Sequence, residues 1–290
     1  MKNHTLKDSN INFFMSFIPL ILFYVIMFFS YFASFLLTVI FSKQSLTESS
    51  GTVDNGIYGC LEYSLAILIF GYWVLIKKSH EKSGDFLNQA ASNSHIRIYI
   101  SENFLKIILC IIFLLVIAFS FEGFTDSIIA ILSASFPNFF KSYSVMITSV
   151  TKSPSILRFI SIVFLAPIAE ELCFRKVTLE YAKLSIGTIP AIILESLLFA
   201  VYHGNIIQGV YAFIAGILLS GLMLHFKSVI PGIFLHIMIN FSAYIFPSAV
   251  ISTKNGAIIT GTISLIVLIL FTALLFSRKG VFQMPSQSDH

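Results

Sequence analysis

Residues 206–226 read IIQGVYAFIAGILLSGLMLHF, and this stretch settles the class of fold. It contains no Asp, Glu, Lys or Arg, and it is long enough to cross a bilayer, which takes about 20 helical residues. Working outward from it, eight apolar runs are candidates for membrane-spanning helices: Phe13–Phe41, Ile57–Ile76, Phe104–Phe121, Ile156–Leu172, Ile189–His203, Ile206–Phe226, Val229–Phe246 and Ala257–Phe276. The sequence therefore predicts an all-α fold, a polytopic membrane bundle of about eight transmembrane helices.

The composition agrees with a chain whose solvent is lipid. Hydrophobic residues make up 57% of the 290 residues and charged residues only 11%, which is too little charge to cover a water-soluble fold.

Two features of the first half do not fit a simple series of apolar spans. The stretch Ser127–Phe136 is apolar but short, so we expect it to lie in the interface or to pack on the bundle. Glu62 is the only acid inside an apolar run of residues 1–155, and a snorkelling or paired structural role is the expectation.

The basic residues predict the orientation. With the N-terminus in the cytoplasm, 13 of the 18 Lys and Arg residues fall on the cytoplasmic side and 5 on the other, so both termini are expected in the cytoplasm. The net charge of +4 reflects this bias and does not indicate nucleic-acid binding, since the chain has no phosphate loop and no basic-aromatic pattern. The Phe-, Ile- and Ser-rich composition without a eukaryotic targeting signal favours a bacterial plasma membrane.

The chain divides into three zones by chemistry. Residues 1–155 hold N-terminal spans and polar loops, residues 156–246 a helical core with unusual polar residues, and residues 247–290 a C-terminal transmembrane helix and a short tail. Seven polar residues lie inside or at the edge of apolar runs of the core: Glu170, Glu171, Arg175, Glu195, His203, His236 and Asn240. Any one of them could be a structural hydrogen-bonding partner between helices. Seven in one zone favour a functional site, because each is costly at membrane depth.

The pair Glu170-Glu171 carries the first motif. Adjacent residues on a helix point about 100° apart, so the two carboxylates cannot share one role. Glu171 precedes Arg175 by four residues, the favourable order for an ion pair. Glu170 then lies beside Phe174 rather than beside a cation, which suits a general base.

A helical hairpin would bring the second motif to the first. Gly187 suits the end of one helix and Pro190 the first turn of the next, and a hairpin centred between residues 186 and 187 leaves Glu170 and His203 equally far from the turn. The two side chains would then lie side by side at one depth. The prediction also requires residues 204–205 to turn in or near the membrane, which backbone tolerates where it lines a cavity.

The third motif is His236 with Asn240, which share one helix face, one turn apart. Two such donors could hold a developing oxyanion, and they could equally be structural partners of each other. Between the motifs, Ala212, Gly216 and Ser220 form a stripe of small residues that allows helices to approach closely.

Taken together and in order, these motifs resemble the CPBP family, also called Abi or CAAX-protease and bacteriocin-processing intramembrane proteases. The family pattern is matched in full over roughly residues 156–246, as Glu170-Glu171-x-x-x-Arg175, Phe199-x-x-x-His203 and His236-x-x-x-Asn240. The first half of the chain resembles no family that we can name.

The resemblance implies hydrolysis of a peptide bond within the membrane, in a hydrophobic or lipidated peptide or protein. By that analogy Glu170 and His203 activate a water, His236 and Asn240 stabilise the oxyanion, and Glu171 and Arg175 are supporting residues. Prenylated CAAX proteins, pheromone precursors and bacteriocin leaders are all compatible substrates, with membrane lipid as the surroundings.

The sequence does not decide whether the protein uses a metal cofactor. The family is commonly labelled metalloprotease, although a glutamate mechanism without metal is also argued. There is no His-Glu-x-x-His zinc helix. No cofactor is certain from the sequence, and no obligatory metal is the favoured reading; a zinc ion, if present, would be held by Glu170, His203 and His236.

Three further interpretations remain. Glu195 is expected to form a supporting hydrogen bond, or to pair with Lys176 or Lys183, rather than to take part in catalysis. The whole protein could instead be a non-catalytic immunity or regulatory protein that binds a peptide toxin or a sensor kinase. A small transporter is the third possibility, because intramembrane charges also line ion pathways.

Overall fold

The computed structural model describes residues 6–42, 55–81, 104–141, 143, 145, 155–245 and 253–277. Within these residues every regular element is a helix and no strand occurs. The polar loops expected between the first spans lie mostly outside the described residues.

Nine helices have described bounds, and residues 137–141 are helical as well. The fifth, α5, spans 156–186 and contains two π-helical stretches, Ser161–Leu165 and Glu171–Thr178. The others are α1 Leu6–Met15, α2 Ile18–Ser42, α3 Asn55–Glu81, α4 Phe104–Ser135, α6 Thr188–Tyr202, α7 Ile206–Phe226, α8 Ile230–Ile245 and α9 Lys254–Phe276.

These helices confirm the predicted helical membrane bundle. Among the described residues, five apolar helical stretches are long enough to cross a bilayer: Ser9–Ile40, Gly56–Ile76, Phe104–Ser135, Ile206–Phe226 and Lys254–Phe276. The helices α6 and α8 are apolar but shorter, and α5 is interrupted by its π-helical stretches. Each of the eight predicted runs thus falls on a helix, although only five meet the length of a full span. The protein is an integral membrane protein.

The C-terminal part of α4 corrects two expectations. Residues 127–135 do not form a separate short segment, because α4 continues without a break from Phe104 to Ser135. Glu122 and Asp126 lie inside this helix, so Glu62 is not the only acid in the apolar helices of the first half. The two acids interrupted the apolar pattern in the sequence, but acidic side chains do not break a helix.

The chain divides into two compact units. The first comprises Met1–Leu75 and Phe140–Ile233, and the second comprises Ile76–Phe139 and Phe234–His290. The helix α8 therefore begins in the first unit, and most of its residues belong to the second.

Aromatic side chains fill the core of the first unit. Phe23 of α2 contacts Phe70 of α3 with ring centroids 5.5 Å apart, and it also contacts Phe174 of α5 at 6.4 Å. Tyr202, at the end of α6, completes the cluster at 4.5 Å from Phe23. The N-terminal helices thus pack directly on the helices that carry the first two motifs.

In the second unit, α4 and α9 form an antiparallel pair. Phe113 contacts Phe271 with centroids 4.9 Å apart, and Gly261 packs so closely that a Cβ there would lie 2.9 Å from Cβ of Ser127. The contacts run in opposite order along the two helices, which gives the antiparallel direction.

Candidate active site

Glu170 lies in the middle of α5, where the helix changes its winding. It is the last residue of the α-helical stretch Ala166–Glu170, and the π-helical stretch Glu171–Thr178 follows at once. Its side chain is buried, with 5% of the residue exposed. Short π-helical stretches are often found at functional sites, where they change the direction of particular side chains.

The helices α5 and α6 form the predicted hairpin. Gly187 ends α5 with a φ of 79°, a left-handed conformation that favours glycine, and α6 begins at Thr188. The ring of Phe174 packs on that of Phe199 with centroids 5.1 Å apart. Phe174 and Phe199 are equally far from the turn, so this contact confirms the predicted register.

The same register fixes the level of Glu170 and His203. Glu170 lies one turn before Phe174 on α5, and His203 lies one turn after Phe199 on α6. Because the helices run in opposite directions, both steps lead away from the Gly187 turn by the same number of residues. The hairpin therefore brings the acid and the imidazole to a similar distance from the turn.

His203 is held in one orientation by its own helix. Its Nδ1 lies 2.8 Å from the carbonyl oxygen of Phe199, and a carbonyl can only accept, so Nδ1 carries the hydrogen. In the neutral ring Nε2 is then the nitrogen that can accept a proton or bind a metal. The rings of Phe199 and Tyr202 meet the imidazole edge to face, at 4.7 Å and 5.7 Å.

The turn that follows His203 is capped on both sides. Gly204 has a φ of 65°, and its N–H donates to the carbonyl of Val201. Asn205 then caps α7, because its side-chain oxygen accepts from the N–H groups of Ile207 at 3.0 Å and Gln208 at 3.3 Å. This confirms the predicted turn at residues 204–205.

A buried ion cluster also contacts Phe199. Arg175 Nη1 lies 3.1 Å from Glu171 Oε1, and Arg175 Nε lies 3.4 Å from Glu195 Oε1; all three side chains are fully buried. The predicted ion pair of Glu171 with Arg175 is therefore confirmed. The guanidinium carbon also lies 4.3 Å from the ring centroid of Phe199, a cation–π contact.

Glu195 forms a hydrogen bond, as expected, but it pairs with a different cation from those expected. Its partner is Arg175, whereas Lys176 pairs with Glu180 at 2.7 Å. The second oxygen of Glu195 accepts from Ser220 at 2.6 Å, so the small-residue stripe of α7 also supplies a hydrogen bond. A buried ion cluster needs such hydrogen bonds to offset the cost of removing its charges from water.

The start of α8 packs against the same cluster. A Cβ on Gly232 would lie 3.0 Å from Oε2 of Glu171, a closer approach than most side chains allow. Glycine at this position therefore leaves room for the carboxylate.

His236 and Asn240 lie on α8 beyond this point, in the second unit. His236 is buried, with 6% of the residue exposed, and Asn240 is half-buried. The two residues share one face of α8, one turn apart. The register of the hairpin places Glu170 and His203 at a similar distance from its turn in the first unit, and a common site with His236 and Asn240 stays a prediction.

The metal-binding side chains of each unit bear on the possible zinc site. The first unit offers Glu170 and His203, whereas a catalytic zinc takes three protein ligands. Taken one at a time, neither unit contains a group of three His, Cys, Asp or Glu side chains among its described residues that could hold a metal ion. The third donor named from the sequence, His236, belongs to the second unit, so the zinc site stays a prediction.

Two residues near the site were not predicted to belong to it, although Glu62 was expected to be snorkelling or paired. The hydroxyl of Tyr202 donates to Oε1 of Glu62 at 3.2 Å, and Glu62 is buried rather than snorkelling. The cost of an acid inside the apolar run of α3 was the only signal in the sequence for Glu62. Tyr202 gave no signal, because aromatic residues are common throughout this chain.

Comparison with known proteins bears on the segment that carries these motifs. Residues 152–242 match the family of Rce1-like, type II CAAX prenyl endopeptidases. Comparisons with curated proteins and with solved structures gave no match. The match begins before α5 and ends within α8, so it includes all three motifs. Residues 152–242 therefore form an Rce1-like segment of the CPBP family, which confirms the resemblance drawn from Glu170-Glu171-x-x-x-Arg175, Phe199-x-x-x-His203 and His236-x-x-x-Asn240.

Proposed function

We propose that this protein is an intramembrane endopeptidase that hydrolyses a peptide bond in a hydrophobic or lipidated peptide or protein. The observation that carries the proposal is the common level of Glu170 and His203 on the buried α5–α6 hairpin, inside the Rce1-like segment. A protease of this family acts on a peptide or protein substrate in contact with lipid. We assign the catalytic core to residues 156–246 and the flanking spans to residues 1–155 and 247–290.

In the proposed reaction Glu170 is the general base. It takes a proton from a water molecule while the water oxygen attacks the carbonyl carbon of the scissile bond. The carbonyl becomes a tetrahedral oxyanion, which His236 and Asn240 stabilise as hydrogen-bond donors. Glu170 then gives the proton to the amine nitrogen as the C–N bond breaks. One water is consumed, and one carboxyl and one amino terminus are formed.

His203 orients the attacking water in this scheme. Since Nδ1 is committed to the Phe199 carbonyl, Nε2 accepts a hydrogen bond from the water on the side of Glu170. The ion cluster of Glu171, Arg175 and Glu195 supports this arrangement through the contact of Arg175 with the Phe199 ring.

The surroundings of the site favour a substrate with a hydrophobic or lipidated segment. The hairpin packs against the aromatic core of the first unit, and the outward faces of its helices carry exposed Ile, Leu and Val side chains that suit lipid contact. We place the protein in a bacterial plasma membrane with both termini in the cytoplasm, on the basis of its Lys and Arg distribution.

The proposal is tested by comparing peptides rather than by assuming a substrate. Wild type, Glu170→Ala and the control Glu180→Ala are expressed at matched levels in the native host, and membrane and secreted peptides are compared by mass spectrometry. Glu180 lies on the same helix and pairs with Lys176, away from the ion cluster, so its removal should leave the peptides unchanged.

Fragments that disappear with Glu170→Ala and persist with Glu180→Ala would support the protease and identify its substrate. Identical peptides in all three strains, with a host phenotype that survives Glu170→Ala, would contradict it. The result would then favour the non-catalytic immunity or regulatory protein.

A further inference from the structure

Glu62 lies on α3, far from the Rce1-like segment in sequence, yet its carboxylate meets the last residue of α6. Only 3% of Glu62 is exposed. The Tyr202 hydroxyl donates to it at 3.2 Å, and the hydroxyl of Tyr58, one turn earlier on α3, forms a second hydrogen bond. Two tyrosines from two helices therefore hold one buried carboxylate.

Tyr202 connects this carboxylate to His203. Its ring lies edge to face with the imidazole, with centroids 5.7 Å apart and an interplanar angle of 83°. The Tyr202 ring also packs in the aromatic core, where its centroid lies 4.5 Å from that of Phe23 and 5.7 Å from that of Phe174. The hydroxyl end is the polar end of this ring, and Glu62 fixes it.

The same network reaches the surroundings of Glu170. The hydroxyls of Tyr63 and Tyr202 form a hydrogen bond, and the charge of Glu170 acts on both of them as well as on Glu62. The Glu62 network therefore contacts His203 through the Tyr202 ring and lies within electrostatic range of Glu170.

We propose that Glu62 is a positioning residue of the active site, which fixes Tyr202 and thereby the orientation of the His203 imidazole. Its catalytic consequence rests on the proposed endopeptidase function, but the positioning of His203 does not. The N-terminal helices then contribute to the site as well as to the fold. The alternative explanation is that the hydrogen bond of Glu62 with Tyr202 only stabilises the packing of α3 on α6.

The test measures His203 directly, without a substrate. Full-length protein in native membranes is treated with diethyl pyrocarbonate, and the rate of imidazole modification is read for each histidine by mass spectrometry. His203 and His225 are both half-buried. His225, at the end of α7, is the internal control, because a general loosening of the protein would change its modification rate as well. The variants are Glu62→Ala, Glu62→Gln and Tyr202→Phe.

Tyr24→Phe is the matched control. The Tyr24 hydroxyl donates to the carbonyl of Val201 at 3.2 Å, so this change also removes one tyrosine hydrogen bond near the end of α6. It leaves Glu62 and Tyr202 with their hydrogen bond. His203 should therefore be modified at the wild-type rate in Tyr24→Phe.

We expect Glu62→Ala and Tyr202→Phe to change the modification rate of His203 severalfold while His225 keeps its rate. Glu62→Gln should stay close to wild type, because the amide oxygen still accepts from Tyr202. An unchanged His203 rate in both Glu62→Ala and Tyr202→Phe would overturn the proposal. So would a parallel change at His225, which would indicate a purely structural role, or a Glu62→Gln rate equal to that of Glu62→Ala.

The effect of Glu62 on catalysis is measured from the peptide fragments whose formation depends on Glu170. Their yield should fall by about 10- to 100-fold in Glu62→Ala, the cost of a reacting group displaced by roughly an ångström, and should largely recover in Glu62→Gln. If no fragment depends on Glu170, the endopeptidase proposal fails, while the modification rates still decide the role of Glu62.

Discussion

Nδ1 of His203 and the carbonyl oxygen of Phe199 lie 2.8 Å apart, one turn from each other on α6. This carbonyl belongs to the last turn of the helix, and it accepts a hydrogen bond from the imidazole. The end of the helix therefore sets the tautomer of the ring. The same Phe199 ring faces Arg175, which makes this residue the contact between the ion cluster and the histidine.

Removal of the His203 imidazole should abolish activity without unfolding the protein. We expect His203→Ala to reduce the yield of Glu170-dependent fragments by about 100- to 10,000-fold, the range for loss of a group that assists proton transfer. The measurement is the fragment yield in native membranes at matched expression. His225→Ala is the control, and equal losses in both variants would show that the effect is not specific to the site.

Neutralisation of Arg175 should destabilise the first unit strongly. Arg175→Met keeps the length of the side chain but leaves two buried carboxylates, Glu171 and Glu195, without their cation. The expected cost is about 3–5 kcal/mol in the free energy of unfolding. Denaturation in detergent, followed by a structural probe of the first unit, measures it.

A matched pair outside the core provides the control for this experiment. Lys176→Met removes a partly exposed pair with Glu180 and should cost about 1 kcal/mol or less. The double variant Arg175→Met with Glu195→Gln should recover part of the loss, because one buried charge is removed. Equal stabilities of Arg175→Met and Lys176→Met would contradict the buried ion cluster.

Glycine at position 232 should be required for the packing of α8 on Glu171. A Cβ there would lie 3.0 Å from the carboxylate oxygen, so Gly232→Ala should cost about 1–3 kcal/mol through overpacking. Thermal denaturation of the purified protein measures the change. In contrast, Gly71→Ala on α3 places its Cβ in open space and should stabilise the helix by about 0.5–1 kcal/mol. A stabilising effect at both positions would show that Glu171 has room to move.

Loss of the Ser220 hydroxyl should weaken the ion cluster by a smaller amount. Ser220→Ala removes the 2.6 Å hydrogen bond to the Glu195 carboxylate and should cost about 1.5–3 kcal/mol, the range for a hydrogen bond to a charged group. The same substitution in a Glu195→Gln background should cost clearly less, and a double-mutant cycle of unfolding free energies tests this difference. Additive effects would mean that the two side chains do not interact.

The sequence predicted those features that follow from local rules. Gly187 marked the turn because a left-handed residue favours glycine, and the position of the turn then determined that Phe174 faces Phe199. The pairing of Glu171 with Arg175 followed from their spacing on one helix.

Features that depend on neighbouring helices were missed. Three cations lay within reach of Glu195 along α5, and only the rotation of that helix selects Arg175 over Lys176 and Lys183. Glu62 contacts Tyr202 across 140 positions of the chain, a distance over which periodicity carries no information. The length of α4 was underestimated because its apolar pattern stops at Glu122 although the helix does not.

The change of winding after Glu170 has a consequence for the two adjacent glutamates. In a π-helix each backbone hydrogen bond spans five residues instead of four, so every residue advances by a smaller angle about the axis. From Glu171 onward α5 is therefore out of phase with the helix that presents Glu170. Glu170 and the ion-paired Glu171 therefore belong to two differently wound stretches of one continuous helix, with no loop between them.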